Sequence, residues 1–206
     1  MPHPLPIAVL LSGGGRTLAN LAAHIGRGTL PARIVLVVAS RGDAYGITRA
    51  AELGLPNCVL NPKEHADTAT YSEKVFDEVR RAGAELVCLA GWLSLLKIPA
   101  DYAHRVVNVH PALLPDFGGQ GMYGHHVHEA VLAAGSKVSG CTVHFADNAY
   151  DTGPTILQRT CEVLADDTPD TLAARVFEQE CIAYPEAIQL ITEGRVHVDG
   201  GRAWVE

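Results

Sequence analysis

Short, nearly continuous apolar runs alternate with segments of helical spacing through the first half of the chain. Ile7 to Leu11, Arg33 to Ala39, Asn57 to Leu60, Leu86 to Leu89 and Val106 to Val109 have strand length. Runs without polar alternation predict strands covered on both faces. Helical patterns fill the gaps from Leu18 to about Ile25, from about Tyr45 to Leu53, and from about Thr70 to Ala82, where Tyr71, Val75 and Val79 recur at four-residue spacing. This alternation predicts an α/β fold, a doubly wound and mostly parallel sheet with right-handed crossovers.

Beyond Val109 the pattern changes. Pro111 to His126 is punctuated by Pro111, Pro115, Gly118, Gly119, Gly121 and Gly124, which predicts a long loop before a short helix from Val127 to Ala134. Val138 to Phe145 and Thr155 to Val163 predict two strands joined by Ala146 to Pro154, most simply as antiparallel additions in the C-terminal half. Thr168-Pro169 has the residue types of a helix start, and the helix from Asp170 is expected to reach about Ala183 and to kink or restart at Pro185. Arg195 to Val198, Asp199-Gly200-Gly201 and Arg202 to Val205 predict a small hairpin.

The 206 residues are 48% hydrophobic, with no repeat and no Pro/Gly/Ser-rich linker, so a single domain over 1–206 is expected. Sixteen Lys and Arg against 23 Asp and Glu give a net charge of -7, without the basic footprint of a general nucleic-acid binder. Any phosphate must then be held by local geometry. No apolar run approaches bilayer length and Met1 to Pro6 lacks a signal-peptide layout, which together predict a soluble, cytoplasmic protein with no membrane partner. Five scattered cysteines, Cys58, Cys88, Cys141, Cys161 and Cys181, argue against a disulfide framework or a structural zinc site. Most are expected to be small core residues.

Open α/β sheets bind ligands beyond the carboxyl ends of their strands. Ser12 to Thr17 follows the first strand with three glycines and leads into a helix, which suits either a phosphate or a tight structural turn. Asn108 and His110 fall on one side of their strand by alternation, either as a core pair or as an amide and an imidazole serving one pocket. Asp151 precedes Thr152-Gly153-Pro154 and reads by itself as a turn residue. His125-His126-Val127-His128 has no carboxylate or cysteine at ligand spacing, so no metal is expected, and His128 could equally cap the following helix. The absence of a GxSxG elbow leaves the nucleophile to a substrate.

Taken together, Leu10-Leu11-Ser12-Gly13-Gly14-Gly15, Leu89-Ala90-Gly91-Trp92, Asn108-Val109-His110-Pro111-Ala112-Leu113-Leu114-Pro115, Val143-His144-Phe145 and Asp151-x-Gly153-Pro154-x-Ile156-x-Gln158 resemble the glycinamide ribotide branch of the folate-dependent formyltransferase family, in register from about Ile7 to Ile191. The resemblance implies a Rossmann-like fold, 10-formyltetrahydrofolate as co-substrate, and formylation of the glycinamide ribotide amine in purine biosynthesis. It implies Asn108, His110 and Asp151 as catalytic residues. Gly14, Gly15, Arg16, Thr17, Pro111 and Glu180 would bind the ribotide, and Leu93, Ser94, Leu95, Leu96, Ala146, Asp147 and Tyr150 the folate. The N-terminal half would thus serve the ribotide phosphate and the C-terminal half the folate.

The sequence departs from the family pattern at Arg16-Thr17, at Ser94, where an Arg is common, and at Thr68, where a basic residue is usual. Members acting on methionyl-tRNA or hydrolysing formyltetrahydrofolate carry an added domain, for which 206 residues leave no room. A formyltransferase acting on an amino-sugar nucleotide and a non-catalytic phosphate-binding module are the alternatives, and a monomer or homodimer is expected. The resemblance also predicts a cis Leu114-Pro115 bond, and the glycines of Pro111 to His126 predict a mobile cover over the folate.

Overall fold

The computed structural model describes residues 4–206, so that Met1 to His3 of the segment searched for a signal peptide lie outside the described residues. The chain divides into two compact units, one up to Asn108 and one from Val109.

The first unit alternates strand and helix: β1 (Leu5–Leu11), α1 (Arg16–Gly26), β2 (Ala32–Ala39), α2 (Tyr45–Glu52), β3 (Asn57–Val59), α3 (Thr68–Arg81), β4 (Leu86–Leu89) and the start of β5 (Val106–His110), whose last two residues open the second unit. The parallel order β3-β2-β1-β4-β5 runs outward from β1 and then resumes on its other side. This is the doubly wound arrangement, with its topological switch between β1 and β4. The central strands are apolar throughout because they are buried throughout: Ile7 to Leu11 are fully covered. Tyr71, Val75 and Val79 form the buried stripe of α3, as their spacing predicts. That helix begins two residues earlier than its apolar pattern, because the Asp67 carboxylate caps it by accepting from the Thr70 N–H.

The second unit holds α4 (His125–Ala133), β6 (Val138–Phe145), β7 (Thr155–Glu162), α5 (Pro169–Thr192), β8 (Val196–Asp199) and β9 (Arg202–Val205). Strands β6 and β7 pair antiparallel, as expected. Strands β8 and β9 form the expected hairpin, turning on Gly200 and Gly201, both at positive φ.

Three expectations are corrected. Helix α5 neither ends near Ala183 nor restarts at Pro185 but runs 24 residues through the proline. Thr168 and Thr171 form a reciprocal cap at its start, and Ala183, Tyr184, Ala187 and Ile188 are buried on either side of the proline, so packing carries the helix across the lost N–H. Helix α4 takes in His125 and His126, which shortens the predicted loop; Gly124 is its N-cap, and His128 lies inside it, buried, and caps nothing. All five cysteines are free, but only Cys88 and Cys141 are buried; Cys58, Cys161 and Cys181 are half-buried.

Candidate active site

The glycine-rich turn lies at the switch point of the first unit. Ser12 locks it there: its N–H donates to the Gly91 carbonyl at 3.0 Å, and its hydroxyl accepts from the Leu93 N–H at 3.0 Å and from the Ser40 hydroxyl at 2.7 Å. Gly15 ends the turn with φ 71 as the N-cap of α1, and a Cβ there would stand 2.7 Å from the Gly46 Cα. Only glycine satisfies both demands. The Gly13 carbonyl accepts from the Gly46 N–H at 3.0 Å and the Gly14 carbonyl from Arg49 Nε at 2.8 Å. The turn's acceptors are thereby engaged with α2. Helix α1 has no acidic residue in its first turn and no side-chain cap, so the helix itself brings no anion to the positive end of its dipole. Arg16 is exposed and Thr17 half-buried beside that end. Arg49 and Gly46 escaped the sequence reading, since no spacing rule pairs them with Gly14 and Gly13.

In the second unit, two buried histidines bracket one carboxylate. His110 Nδ1 is 3.5 Å from Asp151 Oδ2, and His144 Nε2 is 3.6 Å from Asp151 Oδ1. The Gly119 N–H donates to Asp151 Oδ2 at 3.0 Å. His110 Nε2 lies 2.8 Å from the Phe117 carbonyl, and His144 Nδ1 lies 2.9 Å from the Phe145 carbonyl. His110 ends β5, and Asn108, half-buried, shares its face of that strand by alternation.

Backbone geometry explains how Asp151 reaches this place. A Cβ at Gly153 would fall 1.9 Å from the Phe145 carbonyl oxygen, so glycine alone lets the Asp151 turn close on the end of β6. Phe117 and Asp151 have φ of 55 and 57, left-handed values that non-glycine residues rarely adopt and that tertiary contacts must hold. Between the two loops, a Cβ on Gly118 would meet Leu114 Cδ2 at 2.5 Å and Asp151 Cβ at 3.3 Å.

Burial pushes the His110 imidazole below its ordinary value of 6.5, against the opposing pull of Asp151 and the Phe117 carbonyl. The neutral ring is therefore favoured in the free protein. For Asp151, burial pushes the carboxyl up, but His144, His110 and the Gly119 N–H together outweigh it and hold the group below its ordinary 3.8.

The loop after β5 is pinned at its root. Thr142 on β6 donates from its hydroxyl to the Ala112 carbonyl at 2.7 Å and accepts from the Leu114 N–H at 3.0 Å, while Gln158 Nε2 on β7 donates to the Leu114 carbonyl at 2.9 Å. Leu114-Pro115 is cis, as expected. Leu114, Gly119, Tyr150, Asp151 and Thr155 line a cavity of about 450 Å³ in this unit. Phe117 and Met122 are half-buried, and exposed Tyr123 stands edge-on to His126 with ring centres 5.4 Å apart.

The other predicted residues are spread over both units. Leu93 is exposed, Ser94 and Leu95 are half-buried and Leu96 is buried, all in the first unit. Ala146, Asp147 and Tyr150 belong to the second, where the Asp147 carboxylate accepts from the Thr152 hydroxyl at 2.8 Å and shapes its own loop. Pro111 is half-buried after β5. Glu180 is half-buried on α5, and its charge helps burial push the Cys141 thiol up to about 12. Thr68, exposed, is the first residue of α3. His125 pairs with Asp170 at 3.3 Å and His126 with Glu129 at 3.5 Å. Among the described residues, no three His, Cys, Asp or Glu side chains are grouped to hold a metal ion, and no helix is long and apolar enough to cross a membrane. His144 was legible as part of a motif but not as a member of the site.

The sequence profile of the family described as formyl transferase matches residues 5–188. The chain is 40% identical over 200 residues to the chloroplastic phosphoribosylglycinamide formyltransferase of Arabidopsis thaliana, covering 95% of this chain and 68% of that one. It is 31% identical over 202 residues to the phosphoribosylglycinamide formyltransferase of Haemophilus influenzae, covering 97% and 93%. The crystal structure of glycinamide ribonucleotide transformylase 1 from Symbiobacterium toebii superimposes with a TM-score of 0.93 at 35% identity, over 100% of this chain and 95% of that one. The doubly wound sheet expected from the alternation and the Rossmann-like fold implied by the resemblance are thus the fold of these enzymes, and the chain belongs to the formyl transferase family.

Proposed function

We propose that the protein is a phosphoribosylglycinamide formyltransferase that transfers the formyl group of 10-formyltetrahydrofolate to the amine of glycinamide ribotide in purine biosynthesis. The named relatives support the reaction, and the carboxylate held beside His110 at the end of β5 is the observation that carries the chemistry. The amine nitrogen attacks the formyl carbon and forms the new C–N bond, and the carbonyl oxygen becomes an oxyanion. His110, with the Asn108 amide on the same strand face, supplies donors to that oxygen. Burial keeps the His110 ring neutral, and the N–H that meets the Phe117 carbonyl in the free protein is the donor it offers the oxyanion. Asp151 takes the proton from the attacking amine, directly or through water. The proton passes to the folate nitrogen as its bond to carbon breaks.

In the same reading the chain acts as one formyltransferase domain, with Gly14, Gly15, Arg16 and Thr17 on the ribotide phosphate. The half-buried Arg49, held on the Gly14 carbonyl, steadies that turn. Pro111 and Glu180 complete the ribotide contacts. Leu93 to Leu96 and the segment Ala146, Asp147 and Tyr150 receive the folate. The deciding experiment is a formyl-transfer assay with 10-formyltetrahydrofolate and glycinamide ribotide, run beside an amino-sugar nucleotide. Turnover of the ribotide alone is expected. Turnover of the amino sugar would move the assignment to another acceptor, and turnover of neither would reject it.

A further inference from the structure

We infer that His144 is a positioning residue for Asp151, holding the carboxylate from the side away from His110 and setting which of its oxygens faces the His110 ring. The inference rests on the catalytic reading of Asp151 given above. His144 is 1% exposed on β6 and has no part in the transfer steps just described. Its Nδ1 faces the Phe145 carbonyl at 2.9 Å, and a carbonyl only accepts, so that nitrogen carries a proton. Its Nε2 faces Asp151 Oδ1 at 3.6 Å, which leaves Oδ2 for the Gly119 N–H and for His110. The carboxylate thus has His144 beside Oδ1 and the Gly119 N–H bonded to Oδ2, so that each oxygen has its own neighbour.

The two rings are held alike but anchored differently. Each has a backbone carbonyl at one nitrogen and a carboxylate oxygen at the other, two acceptors that only a doubly protonated ring satisfies together. One buried carboxylate offsets only one imidazolium. The carbonyl partner of His144 belongs to Phe145, whose own N–H is fixed on the Pro154 carbonyl at 2.9 Å. The carbonyl partner of His110 belongs to Phe117, in the glycine-punctuated loop. His144 is therefore anchored at the end of a sheet strand, and His110 on a loop. Asp151 is the charged group between the two rings, and His110 in turn acts on His128 of α4. Strand β7 places Thr155 opposite His144, and the α5 carboxylate that acts on β6 is Glu180, at Cys141.

Asparagine and glutamine separate the two nitrogens, because an Asn amide occupies the place of Nδ1 and a Gln amide that of Nε2. His144→Asn is expected to lower kcat by about 10- to 100-fold through misplacement of the carboxylate. KM for the ribotide should stay within about twofold, since binding contacts are untouched. The acid limb of kcat/KM should move to higher pH, and the Asp151 carboxyl, followed by carbon NMR with Asp151→Asn for assignment, should titrate higher. His144→Gln should recover most of kcat and both pH readouts. An unchanged Asp151 titration in His144→Asn, or equal loss in both variants with the original acid limb, would overturn the inference. Should neither variant fold, nitrogen NMR of the unmodified protein decides: an N–H on His144 Nε2 coupled to the Asp151 carboxylate supports the inference, and a bare Nε2 overturns it. Absence of formyl transfer by the unmodified protein would reject the functional reading, while the Asp151 titration would still decide the role of His144.

Discussion

His110 Nδ1 stands 3.5 Å from Asp151 Oδ2, and both Asp151 and Phe117, whose carbonyl meets the other nitrogen of the ring, have a positive φ. The separation is long for a direct hydrogen bond but close enough for the carboxylate to act on the ring. Two strained backbone positions, of the order of 1–3 kcal/mol each, are thus maintained around one imidazole. Local chain preference opposes both, so the contacts of Gly118, Gly119 and Gly153 must sustain them.

His110→Ala should lower kcat by roughly 10² to 10³, the effect of removing one oxyanion donor, while leaving the unfolding midpoint little changed. Steady-state rates at saturating ribotide and folate measure this. A variant turning over at the original rate would remove His110 from the chemistry.

Acid should weaken the fold in part through His110. Its native pKa lies below the ordinary 6.5, so in the window beneath 6.5 the unfolded chain binds a proton that the native chain does not, and stability falls as pH falls. The contribution is complete above that window. Asp151 acts in a lower window: its native pKa lies below 3.8, so its stabilising contribution is present above 3.8 and lost as pH falls through the native value. Urea unfolding from neutral to mildly acidic pH should show a shallower loss in His110→Gln than in the unmodified protein. Equal slopes would contradict the burial argument for the ring.

Gly15→Ala should destabilise the protein by about 1–3 kcal/mol, because alanine is strained at φ 71 and its Cβ would meet the backbone of Gly46. The same variant should bind the ribotide more weakly, as the turn can no longer close on α2. Denaturant titration and calorimetry test the two effects separately; a neutral substitution would show that the turn has slack.

Arg16→Ala should raise the dissociation constant for the ribotide and leave that for a folate analogue nearly intact, since Arg16 would pair with the phosphate only. Equal loss of both affinities would refute this division of labour.

Amide hydrogen exchange across Gly118 to Gly124 should slow when a folate analogue binds, if the loop closes over the formyl donor and excludes water. Closure would draw the Phe117 carbonyl away from His110 or hold it there, and the exchange rate at Gly119, whose N–H is on Asp151, reports which. Exchange unaltered by the analogue would make the loop a structural connection.

Much of this architecture was written in local sequence. Buried parallel strands need apolar residues on both faces, so Ile7 to Leu11 and Leu86 to Leu89 announce themselves. Helix and hairpin ends need particular residues, so Thr168-Pro169 and Asp199-Gly200-Gly201 do the same. The residues joined at the candidate site were legible only through a motif resemblance. No local rule relates His110 to Asp151 or Asp151 to His144, because such pairs are made when strands and loops distant in sequence close on one another. Tertiary structure alone decided that Pro185 would lie inside a helix, since the buried residues flanking it outweigh a local penalty of about 3 kcal/mol. It also decided that Arg49 would seat on Gly14, 35 residues away, and that His144 would face Asp151. Periodicity encodes what each segment does with its own backbone. The partners of a polar side chain depend on sheet register and on close backbone approaches at a few glycines, and these exist only once the chain has folded.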